Sequence, residues 1–300
     1  MINIGMLWAV ASGIGFGFFS LVNRRSMHYL DVYVGTFILF STTAVILAIL
    51  SLLTAEAVFW SQLSLPAIFY FAVAGLLHFF LGWTLFSVSQ KRIGAARTSV
   101  IMSTMPLFAT LLGWLFLAEV LNGAAWLGIG LIVLGVYIVG IAKVDPTQAT
   151  ISGDWRLYLY ATGTALCFAT SPVFTRWGLA LIPAPTVGVA VGMSVCVLAT
   201  GLVLLLRRSE SKGNGWSVPA NVLWWQIAAG VIIALATWGR WVALDLVQIA
   251  PVVALSRMSV PVVLLLAPFV IGQQHEQVTV RVWLGGICIL MGSFVLTFYG

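Results

Sequence analysis

The chain has 300 residues, of which 61% are hydrophobic and only 7% charged, with a mean hydropathy of +1.09. Soluble domains carry about 25% charged residues, so a water-soluble enzyme or binding module is excluded. The net charge of +6 comes without a basic face or an aromatic-interleaved Lys/Arg run. It therefore points away from nucleic acid and toward loop topology, because cytoplasmic loops of membrane proteins collect Lys and Arg.

A helix needs about 20 mostly apolar residues to cross a bilayer. Runs of this kind lie at 4–22, 32–53, 65–88, 95–117, 124–142, 155–174, 185–206, 222–244, 252–271 and 282–298. They are continuous and lack the period-2 alternation of a membrane barrel, and a helix satisfies its backbone hydrogen bonds within the segment. The expected fold class is all-α, a polytopic membrane protein of about ten transmembrane helices. The first run has no basic stretch before it, and Arg24 and Arg25 follow it, so it reads as a retained span rather than a cleaved signal peptide. Cys167, Cys196 and Cys288 all fall inside apolar runs, and an odd count cannot form a fully paired disulfide framework.

The polar stretch 143–154 divides the spans five and five, and the halves resemble each other. Gly82-Trp83 and the stretch 88–105 precede Thr237-Trp238 and 243–260 by 155 positions, and Pro106 falls on Pro261 at the same offset. Glu119, Trp126-Leu127-Gly128 and Gly135 recur as Glu276, Trp283-Leu284-Gly285 and Gly292 at offset 157. Five is an odd number of crossings, so the second half enters from the opposite face, which predicts two inverted five-helix repeats, 1–142 and 155–300, joined by a 143–154 linker.

These residues, Pro106, Glu119, Gly128 and Gly135 with their second copy at Pro261, Glu276, Gly285 and Gly292, resemble the drug/metabolite transporter superfamily in its EamA-type ten-helix branch. The resemblance covers nearly the whole chain. It implies a secondary exporter or exchanger of amino acids and other small metabolites. One departure is the start of the second span, where the chain has Asp31 in the vicinity of the Arg often found in the family.

Connections after odd-numbered spans hold Arg24, Arg25, Lys91, Arg92, Arg97, Lys143, Arg156, Arg207, Arg208, Lys212 and Arg281, counting span ends, against only Arg176 and Arg240 after even-numbered ones. The positive-inside rule then puts the odd connections in the cytoplasm and both termini outside. The family resemblance implies termini inside; the charge count is followed because it acts on the insertion of this chain.

Ionisable groups deep in a span cost about 2.5–3.5 kcal/mol on insertion scales and are functional candidates. His78 and Arg257 qualify. Arg257 can fork onto an anionic group of a substrate; alternatively it snorkels or pairs with Asp245. His78 can line a pocket, exchange a proton near neutral pH, or simply hydrogen-bond within the helices. Trp83 and Trp238 match in the repeat and Trp241 shares a face with Trp238, as an aromatic wall or as interface anchors. Ser99, Ser103, Thr104, Thr170, Ser171 and Ser256 can orient a ligand or bond their own helix. The expected substrate-contacting set is His78, Trp83, Ser99, Met102, Ser103, Trp238, Trp241, Ser256 and Arg257. Glu119 and Glu276 read as solvated caps of helices starting at Asn122 and Thr279. Gly13 with Gly17, and Gly188 with Gly192, allow close helix approach, while Gly128, Gly135, Gly285 and Gly292 serve packing or dimerisation. Pro106, Pro172, Pro251 and Pro261 are candidate kinks or hinges.

His28, His78 and His275 are scattered without ligand spacing, and no phosphate-binding loop or nucleophile–base pair is present. No catalytic, metal or cofactor site is expected. The sequence predicts a non-enzymatic, multi-pass transporter of the cell (inner) membrane, a monomer or homodimer without nucleic-acid partners. It exports a small-molecule substrate, amino acids or related carboxylates, by alternating access. The alternatives are a drug or nucleotide-linked metabolite carrier, or a non-transporting membrane enzyme or lipid-binding scaffold.

Overall fold

The computed structural model describes residues 3–27, 29–93, 98, 101–142, 155–208, 219–270 and 280–299. Ser99, His28, His275, Glu276, Thr279 and the 143–154 linker lie outside the described residues. The described residues fold as helices: α1 (Ile4–Met27), α2 (Val32–Leu53), a 3₁₀ stretch (Ala55–Gln62), α3 (Leu65–Gly75), a π-helical stretch (Leu76–Gly82) and α4 (Trp83–Ile93). There follow α5 (Met105–Leu117), α6 (Gly123–Ala142), α7 (Tyr158–Leu181), α8 (Pro185–Arg208) and α9 (Ala220–Leu246). The chain ends with α10 (Ile249–Leu255), a 3₁₀ turn (Ser256–Met258), α11 (Ser259–Val270) and α12 (Val280–Tyr299).

Local chemistry sets the helix starts. The Asp31 carboxylate accepts from Tyr33 N–H at 2.9 Å and opens α2. Ser64 caps α3 ahead of Pro66, where the missing N–H costs no helical bond. Asn122 Oδ1 accepts from Ala125 N–H at 2.7 Å and opens α6, as an N-cap should.

Among the described residues, five helices are long and apolar enough to cross a membrane: Ile4–Asn23, Tyr33–Leu53, Leu65–Gln90, Pro185–Arg207 and Ala220–Leu246. Shorter apolar helices lie at Met105–Leu117, Gly123–Val139, Ile249–Val263 and Trp283–Tyr299. Outward-facing Leu53, Leu65, Phe69, Trp114, Leu198 and Trp224 are strongly exposed, which in water would be costly and in lipid is ordinary. The expected sixth span is longer than its apolar run: α7 continues to Leu181. Its lower hydropathy has a reason, since Thr164, Ser171 and Thr175 are buried inside the protein rather than turned to lipid.

Glycines bring the helices together. A Cβ on Gly135 would lie 2.6 Å from the Gly285 carbonyl, and one on Gly285 2.6 Å from the Gly135 carbonyl. Gly128 and Gly292 face one another in the same reciprocal way, at 3.0 and 2.7 Å. α6 therefore runs antiparallel to α12 in close contact. This corrects the dimerisation alternative for these four glycines, whose faces are covered within the chain. Gly13 and Gly17 admit Leu255, Met258 and Val262, seating α1 on the α10–α11 segment, and Gly192 meets the Phe71 carbonyl and Gly75 across α3 and α8.

Three of the four prolines are not mid-helix kinks. Pro106, Pro251 and Pro261 occupy the first turns of α5, α10 and α11, where N–H groups have no intrahelical acceptor. Only Pro172 lies inside a helix.

Arg176 and Arg240, counted above as connection residues, are within α7 and α9. A reporter joined after Tyr299 is expected to read as extracytoplasmic, with the opposite signal from a reporter in the 209–218 connection; cytoplasmic activity after Tyr299 would reverse the orientation.

Candidate functional site

The segment from α3 to α4 is one continuous rod whose middle is π-helical from Leu76 to Gly82. One-turn π distortions insert an extra residue and recur at functional sites. Here the distortion carries His78, which is buried at 8% exposure. Gly82 makes this possible, because any Cβ there would overlap the Phe168 ring. Phe168 instead stacks on the His78 imidazole with centroids 4.4 Å apart, and Phe79 meets it edge-on at 4.6 Å.

Arg240 of α9 reaches this imidazole. Its Nη1 lies 3.1 Å from His78 Nε2 and 3.4 Å from Nδ1. Guanidinium can only donate, so the contacted ring nitrogen is an acceptor and the imidazole in this arrangement is neutral. Arg240 is 5% exposed, and its Nε and Nη2 have no hydrogen-bond partner.

Arg257 sits in the 3₁₀ turn between α10 and α11. Its Nη2 donates to the Met102 carbonyl at 3.0 Å and lies 3.2 Å from Met105 Sδ, while its Nε is buried and unpartnered. Met102 immediately precedes the turn at Ser103 and Thr104 that leads into α5. Arg257 thus ties the 3₁₀ turn between α10 and α11 to the turn before α5, and its partner Met102 is its own counterpart at the 155-residue offset. Phe168, Phe86, Met102 and Met105 belong to one apolar cluster, which connects the His78 ring to Arg257.

The other expected residues divide. Met102 and Ser103 are buried at the break. Trp83 is half-buried and packs edge-on against Phe19 at 5.5 Å. Trp238 is half-buried too, but its indole N–H donates to Thr186 Oγ1 at 2.9 Å and it meets Trp8 at 5.2 Å. Trp241 belongs to the packing core against Phe71, and the Ser256 hydroxyl donates to the Val252 carbonyl of its own helix at 2.8 Å. Thr170 likewise bonds a carbonyl of its own helix and Thr104 the Ile101 carbonyl three residues back, whereas Ser171 reaches across to the Ala74 carbonyl at 2.9 Å. Asp245 is not the partner of Arg257; the guanidinium that reaches its backbone is Arg176, whose Nη1 donates to the carbonyls of Leu244 at 2.7 Å and Asp245 at 3.2 Å.

Glu119 departs from its expected role. It does not cap the helix that follows it, a task Asn122 performs. Both its oxygens accept from Ile249 N–H, at 3.2 and 3.0 Å, so it caps α10. Gly113 leaves the space for it, since a Cβ there would lie 2.6 Å from Oε2. Burial raises the Glu119 carboxyl above its ordinary value, against the opposing pull of the Ile249 N–H and Arg176. Nearby, Gln248 donates to the Val120 carbonyl at 2.9 Å. Glu56 similarly caps α8 from the far half of the chain, accepting from Thr186 N–H and Oγ1, both at 2.8 Å.

With this geometry in place, comparison with known proteins is informative. The EamA-like transporter family matches residues 3–141, a little under half of the chain. The chain is 27% identical over 212 residues to the uncharacterized transporter YoaV of Bacillus subtilis (strain 168), covering 69% of this chain and 68% of that protein. It is 30% identical over 104 residues to the uncharacterized transporter YdfC of the same organism, covering 35% and 33%. A crystal structure with 16% identity superposes with a TM-score of 0.74 over 99% of this chain and 98% of the other, a likeness of fold. These likenesses and the apolar helices support a multi-pass membrane protein of transporter type, and the half that resembles the EamA-like family supplies His78, Met102 and the Glu119 cap. In the other half, sequence reasoning missed Arg240. The signal was present: it stands four residues inside the expected 222–244 span, between Trp238 and Trp241, but was counted with the connections.

Proposed function

We propose that this EamA-like protein is a secondary-active carrier that exports a small organic substrate bearing a carboxylate, an amino acid or a related acid, across the cell (inner) membrane by alternating access. The observation that carries the reading is Arg257, whose Nε is buried and unpartnered in the 3₁₀ turn between α10 and α11 while its Nη2 grips the Met102 carbonyl beside the turn that leads into α5. Interrupted helices meeting near the middle of the membrane are a usual construction for transporter sites, and a buried guanidinium without an acid is costly unless an anion or water completes it.

Two inverted units, 1–142 and 155–300 around the 143–154 linker, fit the reciprocal contacts. Gly128 faces Gly292 as Gly135 faces Gly285. A Cβ on Gly75 would lie 2.5 Å from the Gly192 carbonyl, and one on its counterpart Gly230 would lie 2.7 Å from Thr42 Cβ and 3.3 Å from the Leu39 carbonyl. The polar ties between the halves through Glu56, Glu119 and Gln248 belong to connections that follow even-numbered crossings, which suits a gate at one end of the site. Outward movement is the direction of the exporters that the sequence resembles. An acid–base enzyme would need a second titratable group beside His78, and the polar neighbour there is Arg240, which can only donate. The reading also treats the chain as self-sufficient in substrate binding, as a monomer or a homodimer.

Purified protein in proteoliposomes is expected to show counterflow of at least one member of a panel of radiolabelled amino acids and organic acids, abolished by detergent lysis of the vesicles. Absence of counterflow for the whole panel by folded protein would contradict the carrier reading.

A further inference from the structure

We infer that the site selects organic dianions, dicarboxylates above all, over zwitterions, with Arg240 and Arg257 each taking one anionic group; the inference rests on the carrier reading and narrows its substrate class. The unpartnered atoms of Arg240 are Nε and Nη2. These two N–H groups form the side-on edge of the guanidinium, the edge that receives a carboxylate through two parallel hydrogen bonds. The third nitrogen, Nη1, is held by His78, and Arg240 is more than nine-tenths buried, so the fork is fixed in direction. Arg257 offers a second donor, its buried Nε, and is joined to the first through His78, the Phe168 ring stacked on it, and the cluster that holds Arg257's partners Met102 and Met105.

Two neighbouring cations need more than one negative charge to balance them. The described residues do not provide it. Among the described residues, Asp31 is committed to the start of α2, Glu56 to α8 and Glu119 to α10, while Asp245 lies beside Arg176. No described carboxylate pairs with Arg240 or Arg257. An ammonium group on the substrate would therefore meet two guanidiniums and no acid. Two acceptors there are already engaged, since His78 accepts from Arg240 and the Met102 carbonyl accepts from Arg257. The aromatic faces of Phe168 and Phe86 offer only the weaker cation–π attraction. A dianion with an apolar middle instead matches two cations separated by the Phe168, Met102 and Met105 surface.

The test uses four five-carbon probes of similar shape: glutarate, pentanoate, norvaline and glutamate. Their binding to the purified full-length protein is read by calorimetry, and their entry by tracer counterflow in proteoliposomes. Glutarate is expected to bind about tenfold or more tighter than pentanoate, and norvaline and glutamate about tenfold or more weaker than pentanoate and glutarate respectively. Arg240→Lys keeps the charge but loses the fork, and should reduce the preference for glutarate over pentanoate to about twofold while the protein stays monodisperse; Arg240→Gln should remove it. Norvaline or glutamate binding as tightly as glutarate would overturn the charge selection and leave the carrier reading standing. Equal affinity for glutarate and pentanoate, or a preference unmoved in a folded Arg240→Lys protein, would overturn the two-arginine assignment. Counterflow of none of the four, nor of the wider panel, would overturn both readings.

Discussion

Replacing Arg257 by Gln is expected to raise the half-saturation concentration for a transported carboxylate by about 30- to 100-fold, and replacing it by Lys by about tenfold. A hydrogen bond to a charged group contributes about 1.5–3 kcal/mol, and each 1.4 kcal/mol is about a factor of ten. The two substitutions separate charge from shape. Lys keeps the positive charge but is a point donor, so it cannot both hold the Met102 carbonyl and present a rigid second N–H to the substrate. Gln loses both. Concentration-dependent counterflow checks the shift, and a monodisperse elution profile shows that the variants fold. A half-saturation unchanged in folded Arg257→Gln protein would remove Arg257 from the site.

The largest stability effect is expected where α6 and α12 touch. In Gly285→Val, the Cβ would lie 2.6 Å from both the Gly135 carbonyl and Val139 Cγ2. Neither is the loose end of a long side chain, so the helices must separate, and overpacking of this kind costs about 1–3 kcal/mol or more. Gly135→Val should behave alike, because its Cβ would meet the Gly285 carbonyl and Ile289 Cγ1 at 2.6 and 2.7 Å. Gly130→Ala is the control, with nothing within 4 Å of its Cβ. Unfolding midpoints in detergent should fall by several degrees for the first two and stay level for the third. Wild-type midpoints in all three would show that the contact is looser than described.

The fold was legible because lipid imposes a simple rule on sequence. Each span is an apolar run bounded by polar residues, and the glycines of α6 and α12 recur at a constant offset where the two helices meet and each must present a smooth face. The site was legible only in part. His78 and Arg257 stand out as charges amid Leu, Val and Phe. Arg240 did not, because position along a span does not say whether a near-terminal arginine turns outward to the interface or inward to an imidazole 162 residues away. Glu119 was misplaced for a related reason. Capping residues usually serve the next helix, and its actual client, Ile249, is 130 residues distant. The π-helical stretch that aims His78 is a tertiary effect too: Gly82 permits it, but the partner that fills the space is Phe168 on α7.

The most direct test compares an acid with its neutral amide on the purified transporter. Pentanoate and pentanamide have the same shape and differ in charge, so calorimetric titration of each isolates what a buried guanidinium at the helix breaks contributes. The acid should bind about tenfold or more tighter than the amide, and Arg257→Gln should erase the difference. Equal binding of acid and amide by the wild-type protein would contradict an anion held by Arg257 between the two halves.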